Sequence, residues 1–262
     1  MQNLLKIKKI SIWIFIIPFF ALNACLILIT NFQQFFAPQD IIHNTIPYID
    51  GGASISRTAR VFPTYLIFKP AMFITAFLLI QYWRYNFSFM KTVNSKLNYG
   101  KFFVFFGIGS AIFLVLHSIF LGIKFDNDLY KFSRRVIILF FIIFELVAQT
   151  LLVFNLYKVK DQIKKLINDR ILICKIVLVS ILIIVAIVSL PIMISPGHIF
   201  IKHALEWNYF IGIMTFYLLT FFFWKKNWNP LFTYLSVCER KFWLVIYVLL
   251  PSLPPYHFST TP

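Results

Sequence analysis

Six apolar runs, each about the length of a helix that crosses a bilayer, constrain this chain more than any other feature. They cover residues 10–30, 62–83, 102–123, 136–157, 172–194 and 205–224, and each is bounded by charged or turn-forming residues. A hydrocarbon core roughly 30 Å thick takes about 20 apolar residues when they are helical. A transmembrane barrel strand would instead show ~10-residue segments of alternating polarity, and these runs do not alternate. With 60% hydrophobic and 13% charged residues among 262, the chain has too little polar surface for a water-soluble domain of its size. The expected fold is therefore all-α: a polytopic membrane protein built as a six-transmembrane-helix bundle.

Beyond the sixth run, "KFWLVIYVLLPSLPP" reaches Pro251 too soon to span as a helix. It is expected to lie in the interface or to be a buried half-segment, followed by a loose tail from Ser252 to Pro262. This divides the chain into a transmembrane domain, 1–226, and an interfacial segment with tail, 227–262. The stretch "LNAC" at 22–25 has some likeness to a lipoprotein cleavage site, but the apolar run continues through "LILIT", as an uncleaved first helix does.

Orientation follows from the basic residues. Sixteen Lys and Arg precede the first span or fall in the second and fourth connections and after the sixth span, whereas eight fall in the other connections and their flanks. The positive-inside rule then puts both termini in the cytoplasm and the 44–60 loop outside, in a plasma membrane or an endomembrane. The formal charge of +16 is read as an insertion signal and as attraction to anionic lipid headgroups, about 1 kcal/mol per well-placed cation, rather than as a nucleic-acid footprint. Cys25, Cys174 and Cys238 are scattered and form neither a disulfide framework nor a metal set. No phosphate loop, dinucleotide glycine fingerprint or metal-ligand cluster is present, so neither a cofactor nor a metal is expected.

Polar residues at membrane depth are expensive, roughly 2.5–3.5 kcal/mol per charge on insertion scales, which makes them candidates for function. Glu145 falls mid-span in "FFIIFELVAQTLLVF", with Gln149 one turn further on the same helix face. Two readings are open there: an interhelical hydrogen bond, or a proton-relay or catalytic role. His117, in "LVLHSIFLGIKF", lies in the outer half of the third span, as a bonded core residue or as a functional group. Glu206 opens the sixth span, where a carboxylate suits the helix dipole. Arg57 and Arg60 stand three apart on the outer side, and paired guanidinium groups suit phosphate. Between the first two spans, "PYIDGGA" supplies Asp50, able to accept from its own backbone or to meet an arginine, and glycines that allow positive φ.

Four of these stretches resemble, in order and side, the FRAG/DRAM/Sfk group of six-span membrane proteins, which includes GPI-anchor remodelling proteins and relates to the amino-terminal domain of the yeast calcofluor-white-hypersensitive protein. They are "PYIDGGA" at 47–53, "QYWRYN" at 81–86, "LHSIF" with His117, and "ALEWNYF" at 204–210. The resemblance covers about residues 8 to 226, and Asp50 stands where the group has Ser. It implies that the outer loop is a cap over a cavity sized for a lipid headgroup, with Asp50, Arg57, Arg60, His117 and Glu206 near one another. Three functions are carried forward. The first is binding of lipid headgroups, with an influence on lipid distribution, trafficking or lipid-modifying partners. The second is lipid or GPI-like anchor remodelling, with His117 as base and Glu206 or Asp50 as its partner. The third is proton-coupled transport through Glu145.

Overall fold

The computed structural model describes residues 2–43, 45–93, 100–123 and 127–225. The expected interfacial segment and tail lie outside these residues.

Among the described residues the structure is all helix apart from one isolated bridge, Ile167 to Trp224. In chain order come α1 (Gln2–Asn31), a 3-10 turn (Gln33–Phe35), α2 (Ile55–Ala59), α3 (Thr64–Val93), α4 (Gly100–Phe120), α5 (Asp128–Lys158), α6 (Lys160–Ile163), α7 (Asp169–Ile194) and α8 (Ile199–Phe223). Each apolar run falls within or closely along one long helix, but the helices overrun the runs. The first helix extends back through Lys6, Lys8 and Lys9, and α3 continues past Arg84 to Val93. Hydropathy marks where lipid begins, whereas a helix ends where its backbone finds a cap. Asn127 opens α5 by accepting from the amide of Leu129, and Asn168 opens α7 by accepting from that of Arg170.

Five of these helices, α1, α3, α4, α5 and α7, are long and apolar enough to cross a membrane. The sixth expected span corresponds to α8, which at 25 residues is longer than α4 but carries Lys202, Glu206, Asn208, Tyr209 and Tyr217. These dilute its hydropathy, so composition supports five spans and not specifically six.

Packing gives α8 a place regardless. The helices α1 and α3, α3 and α4, α4 and α5, α5 and α7, α7 and α8, and finally α8 and α1 are neighbours, which closes the long helices into a ring. Their outward faces carry large apolar side chains such as Phe20, Phe77, Phe105 and Val188, all more than half exposed, as a lipid-facing surface requires. Inside, Tyr82, Trp83, Phe103, Trp207, Phe216, Tyr217 and Phe223 are fully buried. Close approach between α3 and α4 depends on Gly107, where a Cβ would meet the Trp83 ring at 2.3 Å. At the far end, Lys8 Nζ donates to the carbonyl of Trp224 at 3.1 Å and the Asn168 amide to that of Phe223 at 2.8 Å. Carbonyls at the C-terminal end of α8, orphaned by helix geometry, thereby gain donors.

Candidate functional site

The loop after α1 is organised by Asp50. Its Oδ1 accepts from the Thr45 hydroxyl at 2.6 Å and the Gly52 amide at 2.8 Å, and its Oδ2 from the Ile46 amide at 2.8 Å. The exposed carboxylate is thus hydrogen-bonded in its ionised form by its own loop, and the Thr45 hydroxyl, followed by the Gly52 and Ile46 amides, holds it below the usual aspartate range. Of the two roles open to Asp50, bonding to its own backbone is the one realised.

This loop seats on the first turns of α8. Gly51 takes φ +64° and lies against the backbone of Phe200, while its carbonyl meets His203 Nδ1 at 2.9 Å. Trp207 Nε1 donates to the carbonyl of Ala53 at 2.8 Å, and Asn208 Nδ2 to that of Tyr48 at 2.7 Å. The Tyr48 ring packs edge-on against Trp207 at 4.8 Å, and its hydroxyl donates to Asn23 of α1 at 3.1 Å. Glu206 Oε2 accepts from the amide of Ile55, the first residue of α2, at 3.3 Å. The segment is therefore a folded cap joining α1, α2 and α8, and the "ALEWNYF" stretch is the surface on which it sits.

Of the expected site residues, Asp50, Arg57 and Glu206 belong to this cap. Arg57 lies on α2, with its amide donating to Ser54 Oγ at 3.1 Å and its guanidinium reaching the Ile41 carbonyl at 3.5 Å. Arg60 closes α2 and is exposed. Its carbonyl faces Gly122, where a Cβ would be 3.1 Å away, so the end of α2 adjoins the turn after α4. Neither arginine meets a carboxylate among the described residues. His117 lies in the last turn of α4, buried to 8% exposure. Its Nδ1 has no partner, and among the described residues no hydrogen bond links it to Asp50 or Glu206.

A second polar assembly occupies the bundle interior. Glu145 and Gln149 do share a face, and Gln149 Nε2 donates to Glu145 Oε1 at 2.9 Å. That oxygen also accepts the hydroxyl of Tyr217 from α8. On the other side, Ser110 of α4 lies with Oγ 2.6 Å from Glu145 Oε2 and 2.8 Å from the Gly107 carbonyl. Tyr217 packs against the Tyr82 ring of α3 at 5.0 Å, and Tyr82 Oη lies 3.2 Å from Thr220 Oγ1. Thr220 donates to the Phe216 carbonyl at 2.9 Å and accepts from Lys175 Nζ of α7 at 2.7 Å. Lys175 also stands 3.9 Å from the centroid of the Phe216 ring. Every one of these side chains is buried. Together they tie α3, α4, α5, α7 and α8.

Lys175 lies within an apolar run and not in a connection, so the charge asymmetry between the two sides does not mark it. A Lys within "ILICKIVLVS" is itself the available signal: it is a costly residue in an apolar run. Tyr82 and Trp83 fell within the "QYWRYN" motif, but nothing local announces that they face the centre. Among the described residues no cluster of three potential metal ligands occurs, and Cys25 and Cys174 are free thiols.

Comparison with protein-family models, with curated proteins and with solved structures finds no match for this chain.

Proposed function

We propose that this is a six-span membrane protein, with α8 completing the bundle, that binds anionic lipid headgroups at its outer face through Arg57 and Arg60. Through that binding it modulates lipid distribution, trafficking or lipid-modifying partners, in keeping with its resemblance to the FRAG/DRAM/Sfk group. The observation that carries this reading is an imbalance within the cap. Asp50 and Glu206 are each engaged by backbone amides, Asp50 by Ile46 and Gly52 and Glu206 by Ile55. Among the described residues neither guanidinium meets a carboxylate: that of Arg57 reaches the Ile41 carbonyl, and Arg60 is exposed. Forked donors of that kind suit a phosphate.

Remodelling catalysis would ask for His117 beside a carboxylate, and no contact of this kind favours it. Transport through Glu145 would ask for a group that can be reached, whereas its carboxyl is enclosed by Ser110, Gln149 and Tyr217.

The test is lipid retention by the purified full chain in vesicles of mixed zwitterionic and anionic lipid. Arg57→Ala/Arg60→Ala is expected to lower retained anionic lipid several-fold at the outer face while leaving zwitterionic lipid unchanged. Equal retention of both lipid classes by parent and variant would overturn the reading. His117→Ala is expected to leave retention intact.

A further inference from the structure

Lys69 stands in the second turn of α3, inside a helix long and apolar enough to cross the membrane. A cation at that depth is costly unless its head reaches the interface. Side chains on a helix lean toward its N-terminus, which for α3 is the cap end. Lys69 follows that lean and also crosses to α4. Its Nζ lies 5.7 Å from the centroid of the Tyr65 ring and donates to the carbonyl of Ile119, in the last turn of α4, at 3.5 Å. The ammonium therefore sits over the seam between two neighbouring helices.

This seam has a definite sign of charge. Neither α3 nor α4 contains an Asp or a Glu, and in the cap Asp50 and Glu206 are engaged by backbone amides. An ammonium has three protons to donate, and among the described residues Ile119 is the one hydrogen-bond acceptor of Lys69, through an exposed contact. Donors and positive charge are thus left for a ligand.

The surface leading inward from the ammonium is apolar. Phe73 and Phe77 follow Lys69 at one and two turns along α3, and on the antiparallel α4 Ile112 lies two turns inward of Ile119. All four side chains are exposed. A free anion would use only the lysine, whereas a phospholipid would use the lysine and the apolar flank together.

We infer that the α3–α4 seam binds one anionic phospholipid of the leaflet on the cap side, its phosphate accepting from the Lys69 ammonium and an acyl chain lying along Phe73, Phe77, Ile119 and Ile112. This site is on the membrane-embedded flank of the bundle and does not depend on Arg57 and Arg60.

The experiment uses the purified full chain, with native mass spectrometry counting bound phosphatidylglycerol against phosphatidylcholine. Lys69→Gln is expected to lower phosphatidylglycerol affinity about fivefold, the effect of one well-placed cation, with phosphatidylcholine unaffected. Lys69→Arg keeps the charge and is expected to retain binding. Millimolar inorganic phosphate is expected not to displace the lipid. Unchanged affinity in Lys69→Gln would mean that the lysine only caps α4 through Ile119, and would overturn the inference whatever the arginine variant does; displacement by phosphate would overturn it too. A phosphatidylglycerol with a photoactivatable acyl chain locates the site on the parent chain, so the inference stays testable should the glutamine variant unfold. Crosslinks at 69–77 or 112–119 that persist in Arg57→Ala/Arg60→Ala support the seam, and crosslinks confined to other segments, or lost in that variant, overturn it.

Discussion

Gly51 lies against Phe200 with φ +64°, so close that a Cβ would stand 1.8 Å from the Phe200 carbonyl oxygen. This contact fastens the cap to the first turn of α8, and it explains why a glycine directly follows Asp50 in a loop between two hydrophobic helices. The cap is then completed by donors on the next turns of α8, His203, Trp207 and Asn208.

Gly51→Ala should release the cap. An L-residue in the left-handed region costs about 1–2 kcal/mol, and here a backbone clash adds to it. Gly197, at φ +86°, has open space around its Cβ position, so Gly197→Ala should show the conformational cost alone. Limited proteolysis of 44–60, together with thermal unfolding in detergent, measures both. Equal behaviour of the two variants would show that the Phe200 contact does not hold the cap.

The cap should loosen in acid because of Asp50. Its folded value is depressed, so its stabilising contribution is fully present above the unfolded aspartate value, about 3.9. It is lost as pH falls through the lower folded value. Protease resistance of the loop is expected to hold from neutral pH to about 4 and to decline below that. Asp50→Asn should weaken the cap at neutral pH and flatten the acid decline. A decline that is unchanged in the variant would assign it to another group.

Glu145→Gln should be well tolerated, and Glu145→Leu should not. Ser110 has one hydroxyl proton and two acceptors within reach, Glu145 Oε2 and the Gly107 carbonyl. A donor at the Oε2 position would let Ser110 bond to Gly107 while Oε1 keeps Tyr217 and Gln149. The glutamine amide supplies such a donor. Leucine leaves Tyr217 and Gln149 without their acceptor, at about 1–3 kcal/mol per buried group. Melting temperatures in one detergent compare the variants, and a glutamine variant as unstable as the leucine variant would refute this hydrogen-bond arrangement.

Lys175→Met should preserve or raise stability. The amine is fully buried and, among the described residues, has one hydrogen-bond acceptor, Thr220, besides the Phe216 and Phe223 rings. Replacing it by an apolar chain of similar length removes its desolvation cost, while Thr220 keeps the Phe216 carbonyl and Tyr82. The same unfolding assay checks this. A loss of several kcal/mol would mean that the amine is a structural partner stronger than these contacts account for.

What the sequence determined alone is what depends on neighbours along the chain. The apolar runs follow from local composition against a fixed bilayer thickness, and the Glu145–Gln149 bond follows from the spacing of one helical turn. The self-capping of Asp50 was one of two outcomes its loop allowed. The tertiary structure decided which side chains of different helices meet, because that depends on helix rotation and register set by packing all along their length. It buried Lys175 beside Thr220 and Tyr82, bound the cap to Trp207 and Glu206, and left His117 without a carboxylate among the described residues. Polar groups along α8 lower its hydropathy below that of the other five long helices, and three of them, Glu206, Asn208 and Tyr217, fasten it to the cap and to the interior.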